Sequence, residues 1–389
     1  MSKFMKLQQS WLQSVQGSEW LLVLKRLGLA DELLKYTEVR EGGVNTIRSF
    51  HRPDFQQALV GRLPASCRIH CSKRLQSYCQ QPTGQIEIQF EDGSTTTCDV
   101  LIGADGIKSA VRRTFAHEKV TLARSQGKST GAAEHEAFAD PVWSGMVAYR
   151  ALIPLEKLRL VAPDHPTLLT SAPCCYVGKN KFIIVYPMSR GKFVNFVAYD
   201  SQPELEGTTF NGPWVSTVSP TELAGLFSTW ETDIQTLISC VENPLLWAVH
   251  TVNTLESFIS GRVALVGDAA HAMTPFQGSG AGQAIEDAFI LATLLGHHAT
   301  TLQTLDHALL VYDKVRRPRA VEVVANSRES GRLLMLHDYD FRGMSDDAVL
   351  KELHTIGEKH DRSADWTWNT SIDESVEEAL TMLLENAVL

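Results

Sequence analysis

The order of apolar and polar positions predicts an α/β protein. Val263 to Val266 form a short apolar run that ends at a glycine, as in a strand covered on both faces. Apolar residues then recur at helical spacing and predict helices over 283–298, 303–316 and 320–336. The last segment, 345–389, is charged and also helical in character.

The first hundred residues predict helices, a hairpin and a strand. Leucines separated by charges over 18–36 indicate an amphipathic helical hairpin or one helix bent near Gly28. A further helix is predicted over 51–61. Alternating residues and an Asp-Gly turn predict a hairpin over 86–98, and 99–103 predicts a buried strand.

Longer β segments follow from about residue 140. The segments 146–153, 182–188 and 193–199 are rich in β-branched and aromatic residues. The last two flank a short turn over 189–192, so we expect them to pair as a hairpin. This block predicts a sheet-based domain.

Composition is that of an ordinary globular protein. The 389 residues are 44% hydrophobic and 21% charged, which allows two domains and a large core. The formal charge of −9 argues against nucleic acid or an anionic membrane as partner. No apolar run is long enough for a membrane span or a signal peptide, so a cytoplasmic location is expected.

The seven cysteines do not indicate a metal site. Their number is odd and no pair has C-x-x-C spacing, so neither a disulfide framework nor bound metal is expected. We expect them to be small buried hydrophobic residues.

The richest chemistry follows the strand that ends at Val266. Asp268 stands at its carboxyl end, which is where open α/β sheets bind ligands. The small residues Gly280, Ala281 and Gly282 allow a backbone to approach a flat ligand closely, and a helix starting there presents free N–H groups. A strand–turn–helix unit of some other α/β protein is the alternative.

A second cluster lies in DVLIGADGIKSAVR. Asp105 and Gly106 follow the predicted strand, and Ser109 and Arg112 complete the spacing D-G-x-x-S-x-x-R. Taken alone, Asp-Gly after a strand is a turn.

Together these strings resemble the signatures of the class A FAD-dependent aromatic hydroxylases, which include salicylate hydroxylase and p-hydroxybenzoate hydroxylase. The resemblance implies that Asp268 binds the ribityl chain and that Pro275 lies near the isoalloxazine. It also implies that residues 280–282 meet the pyrimidine edge of the flavin. Asp105 and Gly106 would organise the backbone around the pyrophosphate and the nicotinamide cofactor.

Arg52, in the string His-Arg-x-Asp, resembles a further family element in which an arginine reaches the cofactor. A planar, permanently charged guanidinium suits a diphosphate. A solvated surface arginine is the alternative.

Two residues of the predicted sheet are candidates for substrate binding. Arg150 interrupts an apolar strand with a cation, and an unpaired buried charge is costly, so a phenolate or carboxylate would complete it. Tyr186 could donate a hydrogen bond to the same oxyanion; phenol-dearomatising fungal members of the family use an arginine and a tyrosine this way. Alternatively, Arg150 forms an ion pair with a nearby acidic residue and Tyr186 packs in the hydrophobic core.

His271 lies close to the predicted flavin position. An acid–base role is conceivable, although stabilisation of its loop by hydrogen bonding is favoured.

The resemblance implies a two-part fold. Residues 1–124 and 256–340 would form a doubly wound FAD-binding domain like that of p-hydroxybenzoate hydroxylase. Residues 125–255 would form an inserted β-sheet substrate domain, and 341–389 a helical C-terminal segment. No G-x-G-x-x-G occurs in the sequence, so the first βαβ unit, which holds the pyrophosphate in the family, is expected to be missing.

The resemblance implies a monooxygenase with FAD, in which NAD(P)H reduces the flavin and O₂ provides the oxygen transferred to a small phenolic, salicylate-like or polyketide-like substrate. A role in secondary metabolism fits such substrates. Two alternatives stay open: a non-catalytic remnant that binds FAD weakly or not at all, and another flavoprotein reaction such as epoxidation or ring oxidation.

Overall fold

The computed structural model describes residues 5–7, 19–26, 28, 52–127, 129–170, 173–188, 191–369 and 371–385. Within these ranges, none of the helices combines the length and apolar character needed to cross a membrane.

The strands form one large sheet and two small ones. In chain order they are β1 (Met5–Leu7), β2 (Leu75–Gln80), β3 (Ile86–Phe90), β4 (Thr95–Cys98), β5 (Leu101–Gly103), β6 (Val142–Pro154), β7 (Cys174–Gly178), β8 (Lys181–Met188), β9 (Phe193–Ser201), β10 (Val215–Thr217), β11 (Leu245–Thr251), β12 (Ile259–Ser260) and β13 (Val263–Leu265).

The α-helices pack around these sheets. They are α1 (Glu19–Arg26), α2 (Arg52–Val60), α3 (Ala110–Ser125), α4 (Ser129–Glu136), α5 (Leu155–Val161), α6 (Pro166–Leu169), α7 (Pro220–Leu226), α8 (Thr232–Ser239), α9 (Asp268–His271), α10 (Gly280–Leu295), α11 (Leu305–Leu334), α12 (Asp346–Asn369) and α13 (Ile372–Glu385).

The large sheet has the order β1-β7-β8-β9-β6-β11-β10, and its neighbours are antiparallel. The predicted hairpin of β8 and β9 is confirmed. Met5–Leu7 pair with β7 at the edge of this sheet, although the predicted division placed them with the cofactor-binding part.

Both faces of the large sheet are covered by helices. One face packs on α5, α7 and α8 through apolar residues such as Ile153 and Phe196. The other face packs on the end of α11 and on α12 through residues such as Val197 and Tyr199. Side chains of successive strand residues therefore enter two separate cores.

The small sheet β12-β13-β5 carries the first predicted motif. β13 is fully buried, as predicted, and runs parallel to β5. β5 departs from the prediction of a buried strand, because Ile102 is 41% exposed. Within the described residues β5 pairs with β13 alone and is an edge strand, which leaves one of its sides open.

Helix α11 differs from the sequence prediction of two helices. It is continuous for 30 residues and contains Pro318, whose ring usually interrupts a helix. Arg316 and Ala320, on either side of the proline, are fully buried. Tertiary packing therefore holds the helix together across a local break in its hydrogen bonding.

The cysteines also differ from expectation. Cys174, Cys175 and Cys240 are buried, but Cys67, Cys71 and Cys79 are exposed and Cys98 is half-buried. Cys67 and Cys71 lie in the loop before β2, and Cys79 lies near the end of that strand.

Candidate functional site

The Gly-Asp turn after β13 presents an exposed carboxylate at a buried strand end. Gly267 has a φ of +58°, and a Cβ there would lie 2.9 Å from the Cβ of Ala284 on α10. Only glycine fits this turn and this helix contact. The next residue, Asp268, is exposed between buried neighbours. Its carboxylate therefore points to the outside of the sheet end, where a ligand is predicted.

The start of α10 leaves space beside its backbone. No side chain caps its N-terminus. A Cβ built at Gly278 would meet nothing within 4 Å, and at Gly280 it would meet only Met273 Cγ at 4.0 Å. Pro275 is exposed on the loop before the helix. The free N–H groups of a helix start are good hydrogen-bond donors to an electron-rich ligand.

Arg112 joins the two predicted motifs. Its guanidinium is fully buried and donates hydrogen bonds to the carbonyl oxygens of Asp268 at 3.4 Å and Ala269 at 3.0 Å. It also donates to the Ile107 carbonyl at 2.5 Å. Burial lowers the pKa of Arg112 to about 10, so it remains a cation at neutral pH. The arginine of the D-G-x-x-S-x-x-R string therefore clamps the turn after β5 to the turn after β13.

Asp105 organises the start of α3. Its carboxylate accepts hydrogen bonds from the Ser109 hydroxyl at 2.5 Å and from the amides of Ala110 and Val111 at 2.8 and 3.2 Å. Gly106 has a φ of +78°, and a Cβ there would meet nothing within 4 Å. The carboxylate is thus used inside the loop, while the backbone at Gly106 borders open space.

A buried ionic cluster supports the same region from behind. Asp287 Oδ2 lies 2.5 Å from His271 Nε2 and accepts the Gly267 amide at 2.9 Å. Asp287 Oδ1 accepts from Arg316 Nε at 2.9 Å, and Arg316 Nη1 donates to Glu286 at 3.0 Å. Asp287 thus holds the Gly-Asp turn directly through the Gly267 amide, and the fully buried Arg316 joins Asp287 to Glu286.

These contacts also locate His271. It is buried and bound to Asp287, which agrees with the favoured expectation of a role in stabilising its loop.

The predicted substrate residues lie on one face of the large sheet. Arg150 is opposite Val197 of β9, and Tyr186 is opposite Asn195, two residues along the same strand. Residues two apart on a strand share a face. Arg150 is exposed rather than buried; its guanidinium lies 5.3 Å from the centre of the Trp247 ring. No ion pair forms at Arg150 within the described residues.

Tyr186 is half-buried, and burial raises its pKa although the charge of Arg150 acts in the opposite direction. Its hydroxyl therefore stays protonated at neutral pH. Burial also raises the pKa of Tyr199 on the same face, although the charge of Arg150 again acts in the opposite direction.

Phe276 connects this sheet face to the loop of Pro275. Its ring centre lies 5.0 Å from that of Tyr199 and 6.4 Å from that of Phe182. The loop that is predicted to border a flavin thus packs directly on the face that carries Arg150. Sequence reasoning missed Phe276, because its partners are distant along the chain.

The predicted Arg52 begins α2, and its side chain lies outside the described residues, as does the whole of His51. The position of Arg52 relative to the two turns stays a prediction.

The donor set fits the flavin end of FAD. An exposed carboxylate suits ribityl hydroxyls, and uncapped amides beside small residues suit the carbonyl and nitrogen acceptors of an isoalloxazine. The open space beside Gly278 and Gly280 admits a planar ring against the backbone.

Comparison with known proteins agrees with this fit. The model of the FAD binding domain family matches residues 236–327. Salicylate hydroxylase from Pseudomonas putida is 36% identical over 339 residues, which are 86% of this chain and 72% of that protein. The 6-methylsalicylate 1-monooxygenase atA from Aspergillus terreus is 32% identical over 357 residues, covering 91% and 72%.

Among solved structures, a salicylate hydroxylase substrate complex is similar with a TM-score of 0.78 and 29% identity, over 97% of this chain and 90% of that chain. This likeness confirms the predicted α/β fold with a sheet domain and a helical C-terminus.

Proposed function

Because this chain belongs to the class A FAD-dependent aromatic hydroxylases and has FAD as its cofactor, we propose that it hydroxylates a phenolic, salicylate-like or polyketide-like substrate with NAD(P)H and O₂. One oxygen atom replaces an aromatic hydrogen as a hydroxyl group, and the other leaves as water. NAD(P)H supplies the two electrons, and with one proton from solvent the reaction balances.

One observation carries this proposal. Arg150 and Tyr186 share the sheet face on which the Phe276 loop packs, and Asp268 and the open start of α10 lie at the two ends of that same loop segment. A substrate held by the sheet would therefore stand beside a flavin held by the loop.

The chain's own residues contribute binding and electrostatics. Arg150 would attract the phenolate or carboxylate of the substrate, since its charge has no carboxylate partner in the described structure. Tyr186 would donate a hydrogen bond to the same oxygen, because its hydroxyl stays protonated. Holding the phenol as an anion makes its ring more electron-rich and thus easier to oxygenate.

Bound FAD supplies the redox chemistry, accepting electrons from NAD(P)H and activating O₂. We propose that Asp268, Pro275 and residues 280–282 hold its flavin end. Asp105, Gly106 and Arg52 would lie towards the phosphates.

The test is NAD(P)H oxidation by the purified, FAD-loaded protein with simple phenols, followed by product analysis. We expect oxidation to rise when salicylate or a related phenol is added. Arg150→Met should lower kcat/KM by about 10- to 100-fold, since a charged hydrogen bond contributes about 1.5–3 kcal/mol. Tyr186→Phe should lower kcat/KM by a smaller factor than Arg150→Met.

Arg159→Met is the matched control, because Arg159 is exposed on α5 and is not part of the predicted site. Equal losses in Arg150→Met and Arg159→Met would contradict the proposed role. Folded protein that retains no flavin absorbance once unbound FAD has been removed would contradict the enzyme function and support the non-catalytic remnant. A product other than a hydroxylated ring would support epoxidation or ring oxidation.

A further inference from the structure

Asn195 is a buried polar residue whose side-chain amide nitrogen, Nδ2, has no hydrogen-bond acceptor in the described structure. The residue is 7% exposed. A buried donor without an acceptor is costly, and such groups are rare in native proteins. The location of this one therefore calls for an explanation.

The register of the large sheet puts Asn195 between Arg150 and Tyr186, the two residues that are predicted to bind the substrate. It is directly opposite Tyr186 on one neighbouring strand and Leu152 on the other, and Arg150 is one row away on the same face. Directly opposed Cβ atoms lie about 4.5–5.5 Å apart and diagonal neighbours about 7–8 Å apart. Side chains at these three positions can therefore contact one small ligand on this face of the sheet.

The three side chains offer the same kind of chemistry. Arg150 and the amide nitrogen of Asn195 only donate hydrogen bonds, and Tyr186 is a protonated donor. A site built from donors suits a ligand with more than one acceptor oxygen. Phenol itself has one, whereas a phenol with a carboxylate or acyl group beside its hydroxyl has at least two.

We propose that Asn195 is a specificity-determining residue whose Nδ2 donates to an acceptor oxygen ortho to the phenolic oxygen of the substrate. The proposal rests on the function proposed above and narrows its substrate class to ortho-acyl and ortho-carboxy phenols. Leu152, 55% exposed on the other side of Asn195, would lie along the apolar edge of the same ring.

The experiment compares Asn195→Leu with the unchanged holoenzyme. Leucine keeps the number and branching of the side-chain heavy atoms and removes the donor. Salicylate and 3-hydroxybenzoate are the probes, because they carry the same charge and differ only in where the carboxylate stands. Dissociation constants come from calorimetry, and turnover is measured separately. We expect about tenfold weaker binding of salicylate and little change for 3-hydroxybenzoate.

Stability gives a second readout. If the orphan donor serves a ligand, Asn195→Leu removes a buried unsatisfied group and should raise the melting temperature of the ligand-free protein. Asn253 is the matched control, since its Nδ2 donates to the Ala137 carbonyl at 2.8 Å. Asn253→Leu should lower the melting temperature and leave salicylate binding unchanged.

The outcomes separate the two proposals. Selective loss of salicylate binding supports the role of Asn195 even if the protein shows no turnover, and the hydroxylase proposal then fails alone. Equal weakening of both probes, no weakening, or no salicylate binding by the unchanged protein overturns the role of Asn195. A lower melting temperature in Asn195→Leu with unchanged binding would show that Asn195 is only structural.

Discussion

At the scale of single residues, the most consequential feature is the buried ionic cluster of Asp287, His271 and Arg316. Burial alone would raise the pKa of Asp287, but the charges of His271 and Arg316 outweigh it and lower the pKa to about 2. A carboxylate whose pKa falls on folding stabilises the folded state. His271 and Arg316 are buried with it, so removal of the Asp287 carboxylate leaves a buried guanidinium without this partner.

Asp287→Asn should therefore lower the free energy of unfolding by about 3–5 kcal/mol at neutral pH, the usual cost of breaking a buried ion pair. The stabilisation by Asp287 is complete above the unfolded pKa of about 4 and is lost as pH falls towards about 2. Urea denaturation at a series of pH values should show that the difference in free energy of unfolding between the unchanged protein and Asp287→Asn becomes smaller below about pH 4.

Asp306→Asn serves as the control, because Asp306 is an exposed partner of Arg262. An exposed ion pair contributes about 0–1 kcal/mol, so this variant should be nearly neutral. If the loss of unfolding free energy in Asp287→Asn does not depend on pH, the lowered pKa assigned to Asp287 is contradicted.

Sequence reasoning reached only part of this residue-level picture. Asp268, Asp105 and Gly106 were found from short strings, because a turn residue and its strand are close along the chain. Arg316 was not, since it is one of several arginines on α11 and its burial depends on partners about 30 positions away. Arg112 was visible as part of a motif, but its contacts with the second turn were not.

At the scale of elements, helix α11 anchors the loop beside the predicted flavin. Ser327 Oγ donates to the Thr274 carbonyl at 2.5 Å. The Phe276 ring rests on Gly331, where a Cβ would lie 2.5 Å from Cδ2 of the ring. Glycine is therefore required here by the loop, against the preference of a helix for alanine.

Gly331→Ala is expected to lower the free energy of unfolding by about 1–2 kcal/mol, because overpacking outweighs the gain in helix propensity. Phe276 cannot move aside freely, since it also contacts Phe182 and Tyr199. Thermal unfolding measures the loss. Gly225→Ala on α7 is the control, with nothing within 4 Å of its Cβ position, and should gain up to about 1 kcal/mol. Equal effects of the two substitutions would show that packing at Gly331 is loose.

The pattern of hydrophobic residues predicted the three longest strands and the helices after residue 280, but it missed many other elements, such as β10, β11 and the helices α4 to α8. It missed β2, in which only Tyr78 is buried, and β7, which is five residues long and buried throughout. A strand with one buried residue, or with no polar residue between buried ones, has little period-two signal. It also divided α11 at Pro318, because packing on both sides of a proline is a tertiary effect that local propensity does not contain.

At the scale of the whole molecule, a stack of three side chains ties the turn after β5 to the edge of the large sheet. Lys108 Nζ lies 3.9 Å from the centre of the Trp214 ring, and His250 stacks on that ring at 3.7 Å. Lys108 is two residues after Gly106 in the predicted cofactor turn. The contact therefore joins the predicted cofactor turn to the sheet that is proposed to bind the substrate.

A double-mutant cycle with Lys108→Met and Trp214→Leu should give a coupling of about 0.5–1 kcal/mol in the free energy of unfolding, which is usual for an exposed cation–π pair. Lys119→Met is the comparison, because Lys119 lies over Phe115 at the longer distance of 5.7 Å within one helix. Lys119→Met should lower the free energy of unfolding by less than this coupling. A coupling of zero would mean that the two parts of the molecule are not joined here.

The position of Phe276 has a consequence for how this protein can change over generations. One ring borders the proposed substrate face and belongs to the loop that is proposed to lie beside the cofactor, and it packs tightly against Gly331. A mutation that widens the border for a bulkier substrate also disturbs the loop. New substrate preferences should therefore arise together with compensating changes at positions 327–331 rather than alone.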